Sequence, residues 1–158
     1  MTDLDLTITR VFDAPRELVF AAWTEPDQLV RWFGPKGFTT PSCTVKLVEG
    51  GAWRTCIRDA DGVEHWSGGV YHEITPPERL VFSFAWDEPT GGPGHDTLVT
   101  ITFDDRDGKT EMTFHQAIFR TAGERDGHEE GWRETFDDLG AYLGEVRRPL
   151  PADHPPLQ

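Results

Sequence analysis

The chain has 158 residues, a length that suits a single domain with a sizeable core. Its 28 acidic and 15 basic residues give a formal net charge of −13, which disfavours nucleic acid and anionic membranes as partners. No stretch approaches the roughly 18 apolar residues of a membrane span, and the N-terminus lacks the apolar core of a secretory signal. The two cysteines have no metal or redox spacing. Together these features predict a cytoplasmic protein without a nucleic-acid or membrane partner.

The N-terminal part of the chain is predicted to form one strand and two short helices. Apolar residues alternate with polar ones over 4–12, as in a strand with one buried face. Pro15 suits the first turn of a helix whose apolar residues include Val19 and Trp23. Pro26 begins a second short helix, which the Gly/Pro-rich run at 34–37 ends.

The middle of the chain is predicted to form six strands. Apolar residues recur there with period two, and short turns rich in glycine, proline and aspartate separate the runs. Because the turns are short enough for hairpins, the sheet is predicted to be antiparallel. The six predicted strands span 44–48, 52–58, 64–74, 79–86, 97–103 and 110–119.

The last predicted element is a long amphipathic helix over 123–146. Its large apolar residues follow helical spacing, and Thr121 with Glu124 forms a candidate capping box at the N-terminus. A helix of this composition needs an apolar surface to lie on. The predicted stripe consists of Trp132, Phe136, Leu139, Leu143 and Val146.

These elements predict an α+β fold in which a curved seven-stranded antiparallel sheet surrounds a long C-terminal helix. The order is one strand, two helices, six strands and one helix. We expect one domain over residues 1–148 and a disordered proline-rich tail over 149–158. One helix does not fill the concave side of such a sheet, so the geometry favours a cavity between them.

Several segments resemble a known family. They are ITRVFDAP at 8–15, VFAAWT at 19–24, the paired glycines at 50–51, ITPPERLV at 74–81, and Gly131-Trp132. In these the chain is similar to the AHSA1-like (activator of Hsp90 ATPase homologue 1-like) branch of the START/Bet v 1-like SRPBCC superfamily. The resemblance implies a helix-grip fold with a hydrophobic cavity under the long helix.

Function does not follow from this resemblance, because the superfamily includes lipid carriers, polyketide cyclases, hormone receptors and co-chaperones. In the full Hsp90 activator, stimulation of the ATPase depends heavily on a separate N-terminal domain, for which we expect no room in this chain. An Hsp90-type chaperone is therefore a weakly supported partner.

Catalytic and metal-binding motifs are missing from the sequence. The six histidines show no ligand spacing, and no nucleotide-binding glycine motif occurs, so we expect neither a metal nor a cofactor. An enzyme of this fold needs a general acid or base inside the cavity, where burial shifts its pKa. The main candidates are His115 and Glu73, and His65, His72 and Glu111 are further ones. The alternative for His115 is a hydrogen-bonded or solvent-facing strand histidine.

Aromatic residues are the strongest functional signal. Six tryptophans and ten phenylalanines come from many predicted elements, and they fit either a packed core or an aromatic-lined cavity. Arg10 alternates with apolar residues and fits either an ion pair or an anion clamp in the cavity. The predicted ligand-binding residues are Trp32, Trp66, Trp86, Phe84, Phe114, Trp132 and Phe136.

The sequence thus favours a protein that binds a small hydrophobic or aromatic molecule between the C-terminal helix and the sheet. Access is expected near residues 32–37 and the loop at 88–95. A polyketide cyclase or hydrolase and an Hsp90-type co-chaperone are the alternatives. Because open edge strands favour self-pairing, a homodimer is a further expectation.

Overall fold

The computed structural model describes residues 4–88 and 94–147. Within these ranges the order is one strand, two helices, six strands and one long helix, as predicted. The elements are β1 (Leu6–Phe12), α1 (Arg16–Thr24), α2 (Pro26–Trp32), β2 (Thr39–Val45), β3 (Ala52–Arg58), β4 (Glu64–Thr75), β5 (Arg79–Trp86), β6 (Thr97–Arg106), β7 (Lys109–Ala117) and α3 (Ala122–Arg147).

All seven strands form one antiparallel sheet with the order β1-β7-β6-β5-β4-β3-β2. Consecutive strands from β2 to β7 are neighbours, as hairpin connections require. The N-terminal strand β1 pairs with β7, the last strand, so the helical pair α1 and α2 crosses from one end of the sheet to the other. The sheet therefore has β1 and β2 as its edges.

The predicted position of the second strand was wrong by five residues at its start. The strand runs over Thr39–Val45, and residues 46–51 form the connection to β3. A Cβ at Gly51, at the end of this connection, would overlap the Lys46 carbonyl. Glycine at this point therefore allows the two ends of the connection to approach closely.

Paired glycines allow close packing within β4. A Cβ at Gly69 would overlap the Ser83 carbonyl of β5, and one at Gly68 would lie 2.7 Å from the Trp53 carbonyl of β3. The pairing of β4 with β5 shifts register between Tyr71 and Glu73, a short distance beyond these glycines. The sheet can bend there because one residue is left out of the ladder.

Helix α3 begins after Thr121, as predicted. The Glu124 amide donates to Thr121 Oγ1 at 3.0 Å, which satisfies one of the four free N–H groups of the first turn. The Glu124 carboxylate accepts from the Arg120 amide at 3.1 Å, one residue earlier than in a standard capping box. At the other end the stripe is shorter than predicted, because Val146 is 47% exposed.

The core lies between α3, α1 and the concave face of the sheet. Trp23 of α1 stands at its centre, with ring centroids of Phe114, Trp132 and Phe136 within 6.0 to 6.1 Å. Aliphatic side chains from β1, β5, β6 and β7 complete this layer. Burial of these apolar surfaces supplies most of the free energy that holds the helix on the sheet. The members of this core cluster with at most 1% exposure are Ile8, Val19, Leu80, Val99, Ile101, Phe103, Met112, Phe114, Phe136, Leu139 and Leu143, together with Ala14 and Ala22.

Candidate functional site

An apolar cavity with a volume of about 260 Å³ lies between the first half of α3 and the concave face of the sheet. We call it the main cavity. The segment after α2 closes a third side, and the exposed Gly127 and half-buried Pro35 lie at its rim. It is lined by Phe33, Gly34, Pro35, Ile57, Phe84, Trp86, Gly127, His128, Gly131, Trp132 and Thr135.

The main cavity exists because α3 carries small residues on this face. A Cβ at Gly127 would have no neighbour within 4 Å, and one at Gly131 would meet only Pro35 Cγ at 3.9 Å. One turn further on, the Thr135 hydroxyl donates to the Gly131 carbonyl at 2.8 Å, so this side chain folds back along the helix. Each mid-helix glycine costs about 1 kcal/mol of helix stability relative to alanine.

The opposite wall comes from β5. Alternation along this strand directs Phe84 and Trp86 into the concave side, together with Phe82. Trp132 meets Phe84 edge-on, with ring centroids 5.9 Å apart. The cavity wall is therefore rigid and aromatic at its base, where Phe84 and Trp132 are buried.

His128 is the titratable residue of the cavity lining. The Trp86 indole N–H donates to His128 Nε2 at 3.2 Å. Since an indole nitrogen is only a donor, Nε2 accepts, and a neutral ring then carries its proton on Nδ1. Burial lowers the pKa of His128, and the nearby Glu124 carboxylate opposes this to a smaller extent. A neutral imidazole is thus favoured both by the hydrogen bond and by burial.

A chain of hydrogen bonds holds the base of the cavity. Trp132 Nε1 donates to Gln116 Oε1, Gln116 Nε2 donates to Thr97 Oγ1, and the Thr97 hydroxyl donates to the Phe84 carbonyl, each at 2.8 Å. Gln116 has no exposed surface, so its amide orientation is set by these partners. The network connects α3, β7, β6 and β5, and it positions the Trp132 ring against the cavity.

Two other hollows adjoin this region. A polar pocket of about 110 Å³ lies on the far side of Trp86 and His128, and Asp87, Glu124 and Arg120 line it. A surface groove of about 330 Å³ lies along the α2–β2 connection and is bordered by Arg31 and Asp138. We favour the main cavity as the ligand site because apolar, aromatic walls with few polar groups are typical of small-molecule sites.

Of the predicted ligand-binding residues, Phe84, Trp86 and Trp132 line the main cavity. Phe114 and Phe136 pack behind Trp132 in the core, with ring centroids 4.7 and 5.6 Å from it.

Trp32 and Trp66 do not join this group. The Trp32 indole donates to the Ala22 carbonyl at 3.0 Å, and the residue borders the surface groove instead. Trp66 alternates with the buried Ser67, and the Arg54 guanidinium lies 5.3 Å from the Trp66 ring centroid on the outer face of the sheet. The physical reason is strand alternation, which places Trp66 on the opposite side from the inward Trp53 and Tyr71.

The predicted acid–base residues also lie outside the cavity, which corrects that expectation. Met112, Phe114 and Gln116 point inward from β7, so His115 points outward, where its Nε2 lies 2.8 Å from Asp5 Oδ2. Glu73 accepts from Arg79 Nε at 3.1 Å on the partly exposed end of β4.

Arg10 has a structural role. It lies between Ile8 and Phe12 on β1, and its guanidinium forms an ion pair with Asp137 at 3.0 Å and donates to the Arg133 carbonyl at 3.0 Å. These contacts connect β1 to α3, so Arg10 is a clamp between sheet and helix.

Sequence reasoning did not identify four α3 residues as part of the cavity lining: Gly127, His128, Gly131 and Thr135. Helical periodicity contains a signal for them, because 128, 132, 135 and 139 lie on one face and 127 and 131 lie beside it. The signal is weak since glycine carries no apolar weight in such a pattern. Phe33 and Ile57 were missed because their position depends on how the α2–β2 connection folds over the sheet.

Within residues 4–88 and 94–147, no group of three or more His, Cys, Asp or Glu side chains is placed to hold a metal ion. In the same ranges, none of the helices combines the length and apolarity needed to cross a membrane.

The family follows from comparison of the whole chain with known proteins. The family model described as "Activator of Hsp90 ATPase homolog 1-like protein" matches residues 13–144. The chain belongs to this family. The AHSA1-like resemblance of the sequence segments is thereby confirmed, and the curved sheet around a long C-terminal helix is the fold that its relatives share.

Solved structures of bacterial proteins resemble the AHSA1-like chain over nearly its full length. A Chromobacterium violaceum protein is 26% identical, covers 88% of this chain and 96% of its own, and has a TM-score of 0.81. An Arthrobacter aurescens protein is 27% identical, with coverages of 96% and 92% and a TM-score of 0.82. A Nitrosomonas europaea protein is 28% identical, with coverages of 90% and 96% and a TM-score of 0.77. No curated protein shows significant sequence similarity.

Proposed function

We propose that this AHSA1-like protein binds a small hydrophobic or aromatic molecule in the main cavity. One observation carries the proposal: two glycines of α3 leave open, apolar space opposite Phe84 and Trp86. Phe84 and Trp132 belong to the buried core, so this part of the cavity wall is fixed. A ligand that fills it would replace water on aromatic surfaces, which is favourable.

The size of the cavity limits the ligand. An engineered cavity of about 150 Å³ accommodates benzene, and the main cavity has a volume of about 260 Å³. A ligand with two fused rings therefore matches it better than a long acyl chain. The aromatic walls also favour flat ligands, which can stack or meet the rings edge-on.

The charge of the lining limits the ligand further. Lys, Arg, Asp and Glu are all missing from the described lining, and His128 is the one titratable group there. A charged ligand would lose its hydration without a compensating partner. The site is therefore best suited to an uncharged molecule.

Naphthalene is a suitable probe, followed by NMR of the six tryptophan indole N–H groups. We expect saturable shifts at Trp86 and Trp132, because both rings line the main cavity. Trp66 lies on the outer face of the sheet and is an internal reference whose signal stays in place. Equal shifts at all tryptophans would indicate non-specific adsorption and contradict the proposal.

A matched pair of variants tests the location. Gly131→Leu places a side chain in the cavity and is expected to weaken naphthalene binding at least about tenfold. Gly144→Leu makes the same change on the same helix at an exposed position, where a Cβ has no neighbour within 4 Å. Both changes favour helix formation, so the two variants should fold alike. Unaltered binding by Gly131→Leu would exclude the main cavity.

An acid–base enzyme is the second hypothesis. The structure replaces its candidate acid–base residue. His128 borders the main cavity, whereas His115 and Glu73 do not. A cyclase or hydrolase reaction in this cavity would thus use His128 as its acid–base residue. Because Nε2 accepts from Trp86, His128 acts as a base only when a substrate group replaces the Trp86 indole at that nitrogen. Turnover of a candidate substrate that survives His128→Gln would remove this hypothesis.

Other expectations from the sequence stay predictions. A single domain, a homodimer and an Hsp90-type partner each need a solution measurement, and an unchanged chaperone ATPase rate in the presence of this protein would remove the last. A cytoplasmic location is supported by Cys43 and Cys56, which are both free thiols. The predicted tail at 149–158 and much of the predicted access loop lie outside the described residues.

A further inference from the structure

A further, much smaller cavity adjoins the main cavity. This inner cavity has a volume of about 20 Å³ and lies under β2, β3 and β4. It shares Phe33 and Phe84 with the lining of the main cavity, so the rings of these two residues separate the two spaces. Its other lining residues are Trp23, Leu29, Val45, Trp53, Thr55, Tyr71 and Phe82.

The Tyr71 hydroxyl is an unused hydrogen-bond donor at the inner cavity. Tyr71 is only 3% exposed, and its hydroxyl has no hydrogen-bond partner among the described residues. In the same part of the chain, no fully enclosed side-chain oxygen or nitrogen lacks a partner. The Tyr71 oxygen is therefore not fully enclosed, and Tyr71 is one of the residues that line the inner cavity. Burial raises the pKa of Tyr71 well above its ordinary value, so the hydroxyl keeps its proton.

The polar groups beside Tyr71 are weakly paired. Thr55 Oγ1 donates to Cys43 Sγ at 3.7 Å, and a thiol sulfur is a poor acceptor. Neither Lys nor Arg lines the inner cavity. A neutral acceptor oxygen placed there would accept a hydrogen bond from the Tyr71 hydroxyl. A carboxylate would be buried without a cation.

Phe33 is the residue that can join the two cavities. Phe84 is buried at the base of the core, whereas Phe33 is half-buried and begins the α2–β2 connection. Its ring meets Trp32 and Trp132 edge-on, with centroids 5.9 and 5.7 Å away. Gly34, the next residue, has a φ of +109°, a conformation that lets the chain turn sharply after Phe33.

We infer that the ligand of the proposed site carries a neutral oxygen acceptor, such as a ketone carbonyl, which reaches past Phe33 and accepts a hydrogen bond from the Tyr71 hydroxyl. The ring system of the ligand then occupies the main cavity. This inference rests on the proposed function, because it assigns the polar end of the same ligand. It specifies an uncharged aromatic ketone or a related compound as the chemical class.

The test compares two probes of the same shape. 2-Acetylnaphthalene has a carbonyl where 2-isopropenylnaphthalene has a C=CH2 group. Tyr71→Phe removes only the unpaired hydroxyl. We expect this change to weaken binding of the ketone about fivefold to tenfold and to leave binding of the hydrocarbon within about twofold. The infrared stretch of the bound ketone should also move to higher frequency in Tyr71→Phe, because its hydrogen bond is lost.

Tyr142→Phe is the control, since the Tyr142 hydroxyl donates to Gln28 Oε1 at 2.9 Å and Tyr142 lines neither cavity. Urea unfolding should show that Tyr71→Phe is folded, because no protein hydrogen bond is lost. If both probes bind and Tyr71→Phe affects neither, the hydroxyl is not a ligand contact and the inference is overturned while the proposed function stands. If neither probe binds the unaltered protein, the proposed function fails and this inference fails with it.

Discussion

At the scale of single residues, His128 makes the hydrogen bonding of the candidate site depend on pH. Its Nε2 accepts from Trp86, so protonation of the ring would replace an acceptor with a second donor and break this hydrogen bond. The charged and titratable groups around its other side line the polar pocket. They are Asp87, Glu88, His95, Arg120 and Glu124.

The lowered pKa of His128 predicts a specific pH dependence of stability. Below the ordinary histidine pKa of 6.5, the unfolded chain takes up a proton that the folded protein resists. The unfolding free energy should therefore fall as the pH decreases below 6.5, by up to about 1.4 kcal/mol for each pH unit. His128→Gln keeps an acceptor for Trp86 but does not titrate, so this contribution should disappear.

Urea unfolding of both proteins between about pH 5 and pH 8 measures the difference. Plots of unfolding free energy against pH should run parallel for the two proteins above pH 6.5 and diverge below it. A constant difference across the whole range would show that His128 titrates equally in the folded and unfolded states.

At the scale of elements, α3 has a capped N-terminus and a buried apolar stripe, but its first half contains residues of low helix propensity. Thr121 caps its N-terminus, and Trp132, Phe136, Leu139 and Leu143 anchor it on the sheet. Its glycines lower helix propensity where the main cavity lies. Packing of the apolar stripe compensates for that weakness, since tertiary contacts supply most helix stability in folded proteins.

Removal of the helix cap should have a measurable effect. Thr121→Ala deletes the side-chain acceptor for the Glu124 amide and is expected to reduce the unfolding free energy by about 1 kcal/mol. Thr121→Asp keeps an acceptor and adds a negative charge at the helix N-terminus, so it should retain the stability. Urea denaturation of the three proteins at one pH is the measurement. Equal stability of Thr121→Ala and the unaltered protein would show that this bond contributes nothing.

At the scale of the whole molecule, the excess of negative charge destabilises the folded state relative to the unfolded state. Thirteen uncompensated charges repel one another more strongly when the chain is folded. The ion pairs do not offset this, because most are exposed: Arg58 and Glu64, for example, are 44% and 42% exposed. Exposed pairs contribute about 0–1 kcal/mol each.

Salt should therefore stabilise the protein. Raising NaCl from about 0.01 M to about 0.15 M shortens the screening length to about 8 Å and weakens this repulsion. We expect an increase in the unfolding free energy of about 1 kcal/mol, which corresponds to a rise of about 2–4 °C in the thermal midpoint. A scanning calorimetry series in NaCl is the measurement, and a midpoint that falls with salt would mean that the ion pairs outweigh the net charge.

The sequence pattern predicted much of the wall of the main cavity and little of its open space. Period-two alternation in β5 places Phe84 and Trp86 inside, and helical spacing places Trp132 on the sheet, so these three residues were predictable. His115 was misplaced, because apolar residues occur on both faces of β7 and alternation alone does not say which face is inward. Glu73 lies on β4, where the register shift between Tyr71 and Glu73 interrupts the alternation. Trp66 lies on the outer face of β4 beside Arg54, which its aromatic character alone does not indicate.

What the sequence by itself determined is the set of elements, their order and the antiparallel sheet around α3, because periodicity and turn chemistry are local properties of the chain. Only the tertiary structure decided which side chains meet. Gly131 opposes Phe84, His128 accepts from Trp86, and the Tyr71 hydroxyl has no hydrogen bond to a described residue only after strands and helix distant in sequence come together. No local sequence pattern encodes a cavity, since a cavity is the space that packed side chains leave unfilled.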